Sequence, residues 1–215
     1  MLSAELPQPI PSLLSSVSGT VLDVGPGSGT QLYTMRLAKT TTIYGAEPEI
    51  ALHDQLRKNT ITNGLEGKYK ILACGAEKET LVPALAKAGL LQEGVGNGLF
   101  DYIVCLRVFC GVTNVQETVD GLYKLLKPGG TLIVAEHVKN PWPEKGGWIV
   151  PWALQKVYKV LGWSFWIGGC NIDRDTKRIL LNAPGSSDGW QKVHLLIPEP
   201  WNSIPYLLGY LVKKT

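Results

Sequence analysis

The chain has 215 residues, 45% of them hydrophobic, and a net charge of +3. That length and apolar content suit one ordinary domain, residues 1–215, while the small, scattered basic excess implies no nucleic-acid partner. No uncharged stretch of 18 residues argues for a spanning helix, and the N-terminus lacks the basic-then-apolar order of a signal peptide.

The proline-rich start, Pro7 to Pro11, reads as an extended lead-in. Strand-like and helix-like runs then alternate. Strands are predicted over Thr20–Val24, Thr42–Ala46, Tyr69–Ala73, Asp101–Leu106, Thr131–Glu136, Lys192–Ile197 and Leu207–Val212. Helices are predicted over Ser28–Leu37, Glu49–Thr60, Leu81–Ala88, Val115–Leu126, Trp148–Leu161 and Arg174–Ala183. This rhythm predicts an α/β fold with a doubly wound, seven-stranded, mostly parallel sheet. Only about nine residues, Pro198–Tyr206, join the last two strands. That is short for a parallel crossover, so the last strand is predicted to be antiparallel.

The first strand stops at Asp23-Val24 and runs into Gly25-Pro26-Gly27-Ser28-Gly29. Glycines there allow positive φ and let a ligand approach bare backbone. The spacing is G-x-G-x-G rather than the G-x-G-x-x-G of a pyrophosphate site, and Asp23 would repel a pyrophosphate. A carboxylate suits a cationic cofactor such as S-adenosylmethionine, which carries an ammonium and a sulfonium.

Ligands of open α/β sheets lie beyond the carboxyl ends of the strands. Glu47-Pro48 ends strand 2, 22 residues after Gly25, where an acid accepts ribose hydroxyls. Gly75-Ala76-Glu77 follows strand 3 and suits an adenine and its exocyclic amine. Cys105, Leu106 and Arg107 close strand 4 on the methyl-donor side, and Gln31 follows the glycine turn. Each acid also has a plain reading as a solvated loop residue.

Cys74, Cys105, Cys110 and Cys170 lie far apart with no C-x-x-C pair, and there are three histidines. No metal site is expected, and the cysteines read as reduced thiols of an intracellular, cytoplasmic protein. His53 and His194 read as structural. His137, ending strand 5, suits a general base or, equally, a loop hydrogen bond that shapes the pocket.

Residues from about 140 to 172 form a Trp-rich cap. Trp148, Trp152 and Trp166, with Cys110, Cys170 and Asn171, are the candidate substrate-lining residues. Three readings stand: a lid over an apolar small molecule, a core helix, or a weak membrane contact through Trp and Lys. Oligomeric state is not readable.

Val21–Thr30, Ala46–Pro48, Gly75–Glu77, Phe100–Val104 and the turn Lys127-Pro128-Gly129-Gly130 resemble the successive motifs of class I S-adenosylmethionine-dependent methyltransferases. Ala135–Val138, Gly169–Thr176 and Pro205–Tyr210 are similar to one branch, which holds membrane-associated thiol S-methyltransferases and is close to ubiquinone/menaquinone methyltransferases. The resemblance implies a Rossmann-like methyltransferase fold and methyl transfer to a small, largely apolar acceptor, with a thiol favoured over oxygen or carbon. The mammalian members carry an N-terminal anchor; here about 19 residues precede strand 1, and Pro26 and Ser28 differ from the usual residues between the glycines.

Overall fold

The computed structural model describes residues 6–36, 38–91, 98–144, 146–183 and 189–215. Seven strands form one sheet: β1 (Ser18–Val24), β2 (Lys39–Ala46), β3 (Tyr69–Leu72), β4 (Phe100–Leu106), β5 (Leu126–His137), β6 (Trp190–Leu196) and β7 (Tyr206–Lys213). Their order is β3-β2-β1-β4-β5-β7-β6. The first five are parallel, and β7 runs antiparallel to both its neighbours, as the short final connection requires. The strand order reverses between β1 and β4, the point where such sheets bind ligands.

The side-chain alternation of β1 sorts the two faces. Leu22 and Val24 pack with Leu81 and Leu85 of α4 (Lys78–Lys87), Val119 and Leu122 of α5 (Val115–Leu125) and Leu180 of α8 (Thr176–Leu181). Val21 packs with Ile10 and Leu14 of α1 (Ile10–Ser15), Leu32 and Met35 of α2 (Leu32–Met35) and Leu56 of α3 (His53–Thr62). All these side chains are buried, so each face is closed by its own helical layer. The cap holds α6 (Ile149–Val160) and α7 (Trp163–Trp166).

Two local expectations are corrected. The lead-in is not extended: residues 10–15 form α1, with Pro11 in the first turn, where its missing N–H costs nothing. The helix expected over Ser28–Leu37 is only α2, four residues long, and Leu37 lies outside the described residues. Gly29 keeps φ at +79°, which holds the turn open, and β2 already begins at Lys39. Little chain is left for helix.

The Lys127–Gly130 segment is a bulge within β5. Pairing jumps from Phe100–Leu126 to Tyr102–Thr131. Asp101 anchors it, accepting from Lys127 Nζ at 2.9 Å and from the Thr20 N–H at 2.8 Å.

Candidate active site

Gly25, Gly27 and Gly29 all have positive φ, at +62°, +59° and +79°. Their neighbourhoods differ. A Cβ on Gly25 would touch Val108 at 3.0 Å, and one on Gly29 would strike Leu56 at 2.7 Å and Leu32 at 2.9 Å. One on Gly27 would meet nothing within 4 Å. Gly29 thus serves packing, and Gly27 faces open space. The loop is tied down by the Asn59 side chain, which donates to the Ser28 carbonyl at 2.7 Å, and by the buried Gln31, which donates to the Pro26 carbonyl at 3.3 Å.

A cavity of about 470 Å³ opens beside this loop. Gly25, Glu47, Pro48, Gly75, Ala76, Glu77 and Arg107 line it together with Val108 and Gly111. These come from the ends of β1, β2, β3 and β4, and the volume lies in the range of small-ligand sites. The larger hollow of about 550 Å³ between residues 138–144 and α8 contains none of them.

Glu47 is buried but already bonded. One oxygen accepts from the Gly27 N–H and the other from the Glu49 N–H, both at 2.8 Å. Its carbonyl meets His53 Nε2 at 2.9 Å, consistent with a structural role for that histidine. Asp23 lies beneath the cavity and does not line it. Its carboxylate is 1% exposed and accepts from the Tyr69 hydroxyl at 2.8 Å. Tyr69 reaches it by crossing Gly45, where any Cβ would lie 2.4 Å from the hydroxyl. Burial pushes the Asp23 carboxyl up to about 7, against the Tyr69 hydrogen bond, and the nearby Glu47 charge adds to the rise. Tyr69 and Gly45 were not singled out from the sequence. The only available signal was a glycine inside an apolar strand.

Cys105 and Leu106 are core residues, on opposite faces of the sheet. Arg107 follows with φ at +63°, unusual for a side chain of its size. Its N–H donates to the Ala135 carbonyl at 2.8 Å, so the chain leaves β4 at a fixed angle. Glu136 holds the loop beyond. This carboxylate is fully buried and accepts from the N–H groups of Val108 at 2.8 Å and Cys110 at 3.3 Å. Burial raises its pKa to about 8 despite those bonds. The sequence signal was an acid in an otherwise apolar strand.

Arg174 also clamps this loop, donating to the carbonyls of Phe109 and, at 2.8 Å, Val112. Asp175 caps α8 and pairs with Lys139 at 2.8 Å, so Arg174 and Asp175 do not pair with each other.

Three residues far apart in sequence meet beyond the ends of β4 and β5. His137 Nδ1 lies 3.5 Å from Cys170 Sγ, and the ligating atoms of Cys110, His137 and Cys170 all lie within 4.8 Å of one another. All three are buried. The His137 ring packs on Tyr206 with centroids 4.4 Å apart. The neighbouring Cys110 and His137 hold the Cys170 thiol down, while that proximity and burial drive Cys110 up; the Cys110 thiol itself reaches the Arg107 carbonyl at 3.6 Å. Sequence spacing grouped none of them.

The cap is held by polar anchors. Gln155 is completely buried; its amide donates to the carbonyls of Val138 at 3.0 Å and Ile172 at 2.9 Å and accepts from the Asn140 N–H at 2.8 Å. Lys156 and Lys159 both reach Asp173 at 2.9 Å. Asn171 donates its N–H to the Cys110 carbonyl at 2.8 Å. The expected tryptophan lining does not assemble. Trp148 and Trp166 are 66% and 75% exposed on the outer face, while Trp152 stacks on Trp142 at 4.9 Å. Of the cap residues expected to enclose a substrate, none lines the cavity; Gly168 does. Trp148 precedes α6 with extended backbone and Trp166 ends α7, so neither follows the inward face that Gln155 marks, and Trp152, one turn before Gln155, is taken up by Trp142.

Sheet order, glycine turn and strand-end cavity together define a Rossmann-like methyltransferase domain, a class whose methyl donor is S-adenosylmethionine. A family model described as a methyltransferase domain matches residues 2–167, and the chain belongs to that family. Among characterised relatives, it is 32% identical to human thiol S-methyltransferase TMT1A over 127 residues, 59% of this chain and 49% of that protein. It is 30% identical to human thiol S-methyltransferase TMT1B over 55% of this chain and 46% of that one. The chain thus spans about half the length of these relatives. Among solved structures, an O-methyltransferase family protein from Burkholderia thailandensis superposes with a TM-score of 0.63 at 18% identity, covering 97% of this chain and 56% of that one. A geranyl diphosphate methyltransferase in complex with SAM gives 0.62 at 14% identity, covering 95% and 84%. At such identities these two establish the fold alone. No helix among the described residues is long and apolar enough to cross a membrane.

Proposed function

We propose that this chain transfers the methyl group of S-adenosylmethionine to the thiol of a small, largely apolar molecule. The observation that carries the reading is the strand-end cavity, flanked by a buried Cys110–His137–Cys170 cluster, in a chain that aligns with two human thiol S-methyltransferases over about half of their length. The cofactor supplies an activated methyl on a sulfonium. In this reading Glu47 turns its remaining lone pairs to the ribose hydroxyls, and Ala76 and Glu77 meet the adenine. The open space at Gly27 admits the cofactor against backbone. Asp23 acts through its charge across the glycine turn, favouring the ammonium. Alignment and exclusion of water then account for most of the catalysis, because a thiol with a pKa near about 8.5 is already partly ionised.

His137 enters as a member of the cluster rather than as a lone base, since Nδ1 faces Cys170. The test is methyl transfer from labelled S-adenosylmethionine to a panel of alkyl thiols, phenols and quinols. Methylated thiols are expected. Methylation confined to phenols or quinols overturns the acceptor class, and cofactor binding without turnover on any acceptor overturns methyl transfer itself.

We further infer that the outer face of the cap rests on a lipid surface. Trp148, Ile149, Val150, Val160, Phe165 and Trp166 are each more than half exposed, an apolar area uncommon on a free monomer. Tryptophan and phenylalanine suit the headgroup layer. Wild type is expected to sediment with phospholipid vesicles, and a Trp148→Ser, Phe165→Ser, Trp166→Ser variant to stay in solution. Wild type remaining in solution, or self-association through this face instead, refutes the inference.

A further inference from the structure

We propose that Cys110, His137 and Cys170 form a three-ligand site for a soft divalent cation, zinc by preference, whose open fourth position receives the acceptor thiol. The second half rests on the thiol reading above; the metal site does not.

The donor set is two thiol sulfurs and one imidazole nitrogen, a combination suited to zinc. Zinc–sulfur bonds of about 2.3 Å and zinc–nitrogen bonds of about 2.0 Å at tetrahedral angles place sulfur and nitrogen about 3.5 Å apart. Cys170 Sγ and His137 Nδ1 lie at 3.5 Å, and Cys110 Sγ falls within 4.8 Å of both. On binding an ion, Cys110 gives up the contact of its thiol with the Arg107 carbonyl at 3.6 Å.

The ligands are held in advance of any ion. His137 ends β5, where its ring is packed on Tyr206. Cys110 sits on the loop fixed by Glu136 and Arg174. Cys170 follows the cap and is tied to Cys110 through the Asn171 N–H. Beside them packs Trp163, whose buried indole N–H is a donor suited to an anionic sulfur ligand. Structural zinc sites are closed by four protein ligands, whereas catalytic ones keep a position free. Here three side chains gather among the described residues, and the nearby Glu136 carboxylate is committed to backbone N–H groups. The cavity adjoins the cluster, since Gly111, next to Cys110, and Gly168, two residues before Cys170, both line it; the open position is assigned to that side.

A thiol entering that position loses its proton to solvent on coordination. Its sulfur forms the new bond to the methyl carbon as the carbon–sulfonium bond breaks, and that electron pair passes to the cofactor sulfur. The products are a thioether, S-adenosylhomocysteine and the released proton. The neutral thioether is the weaker ligand and leaves.

The reduced chain, titrated anaerobically with cobalt(II) as a spectroscopic stand-in and then with zinc, tests this. One equivalent is expected to give a sulfur-to-cobalt charge-transfer band and tetrahedral visible bands, both lost to zinc. Cys110→Ser and Cys170→Ser should each weaken binding by about tenfold or more, with Cys74→Ser unchanged. A small alkyl thiol should then shift the visible bands of the wild-type cobalt protein. Absence of the charge-transfer band in the wild type, or a cobalt affinity unchanged in both serine variants, overturns the site. Visible bands indifferent to the thiol overturn the open position. These wild-type spectra require no variant to fold and no turnover. Methyl transfer that survives chelation in a protein with no cobalt band refutes the metal while sparing the proposed function; a cobalt site in a protein that methylates nothing does the reverse.

Discussion

Gly27 and Gly29 share a left-handed backbone and differ in what surrounds them, and the difference separates binding from stability. Gly27→Ala should cost about 1–2 kcal/mol through backbone strain alone while placing a methyl in the open space proposed for the cofactor. Gly29→Ala adds overlap with Leu56 and Leu32 and should cost about 2–5 kcal/mol. Thermal melts paired with S-adenosylmethionine titrations read both. A larger loss of stability in Gly27→Ala than in Gly29→Ala would contradict these roles. The acids divide in a similar way. Glu47 was legible as the residue ending the second strand, whereas the partner of Asp23 was not, because Tyr69 reaches it only through a gap at Gly45.

At the scale of elements, the cap shows how one buried polar residue orients a helix. Gln155 satisfies three backbone groups, and those groups lie in segments on either side of α6. Gln155→Leu leaves two carbonyls and an N–H without partners and should cost about 2–4 kcal/mol. It should also make residues 146–172 the first site of limited proteolysis, with the sheet intact by circular dichroism. Unchanged cleavage would show that the Lys156 and Lys159 pairs with Asp173 suffice. The helix itself was legible from the sequence between residues 148 and 161. Its orientation was not, because tryptophan, valine and leucine surround it and periodicity alone does not say which side is inward.

For the whole molecule, the two raised carboxyls set a pH dependence. Asp23 near 7 and Glu136 near 8 stay protonated in the folded state at pH values where the unfolded chain has released those protons. Their joint contribution therefore declines as pH rises from about 4 towards 8, by at most about 1.4 kcal/mol per pH unit for each group. Urea unfolding of wild type, Asp23→Asn and Glu136→Gln across this range isolates each share as a difference in slope. Equal slopes would refute it. The opposite sign holds for the cofactor: a cation favours ionised Asp23, so affinity for S-adenosylmethionine should rise with pH through about 7 and flatten in Asp23→Asn.

What the sequence determined by itself was whatever local pattern encodes. Alternating apolar runs set the parallel sheet, the short Pro198–Tyr206 link set the antiparallel last strand, and the glycine turn with Glu47 and Gly75–Glu77 marked strand ends that gather around one cavity. Burial of strands, turn geometry and chain length act over a few residues and leave marks that can be read in order. Tertiary structure alone decided the rest. Residues 110, 137 and 170 belong to three elements and meet only because β4 and β5 are neighbours and the cap returns over their ends. Distance along the chain hides such a meeting.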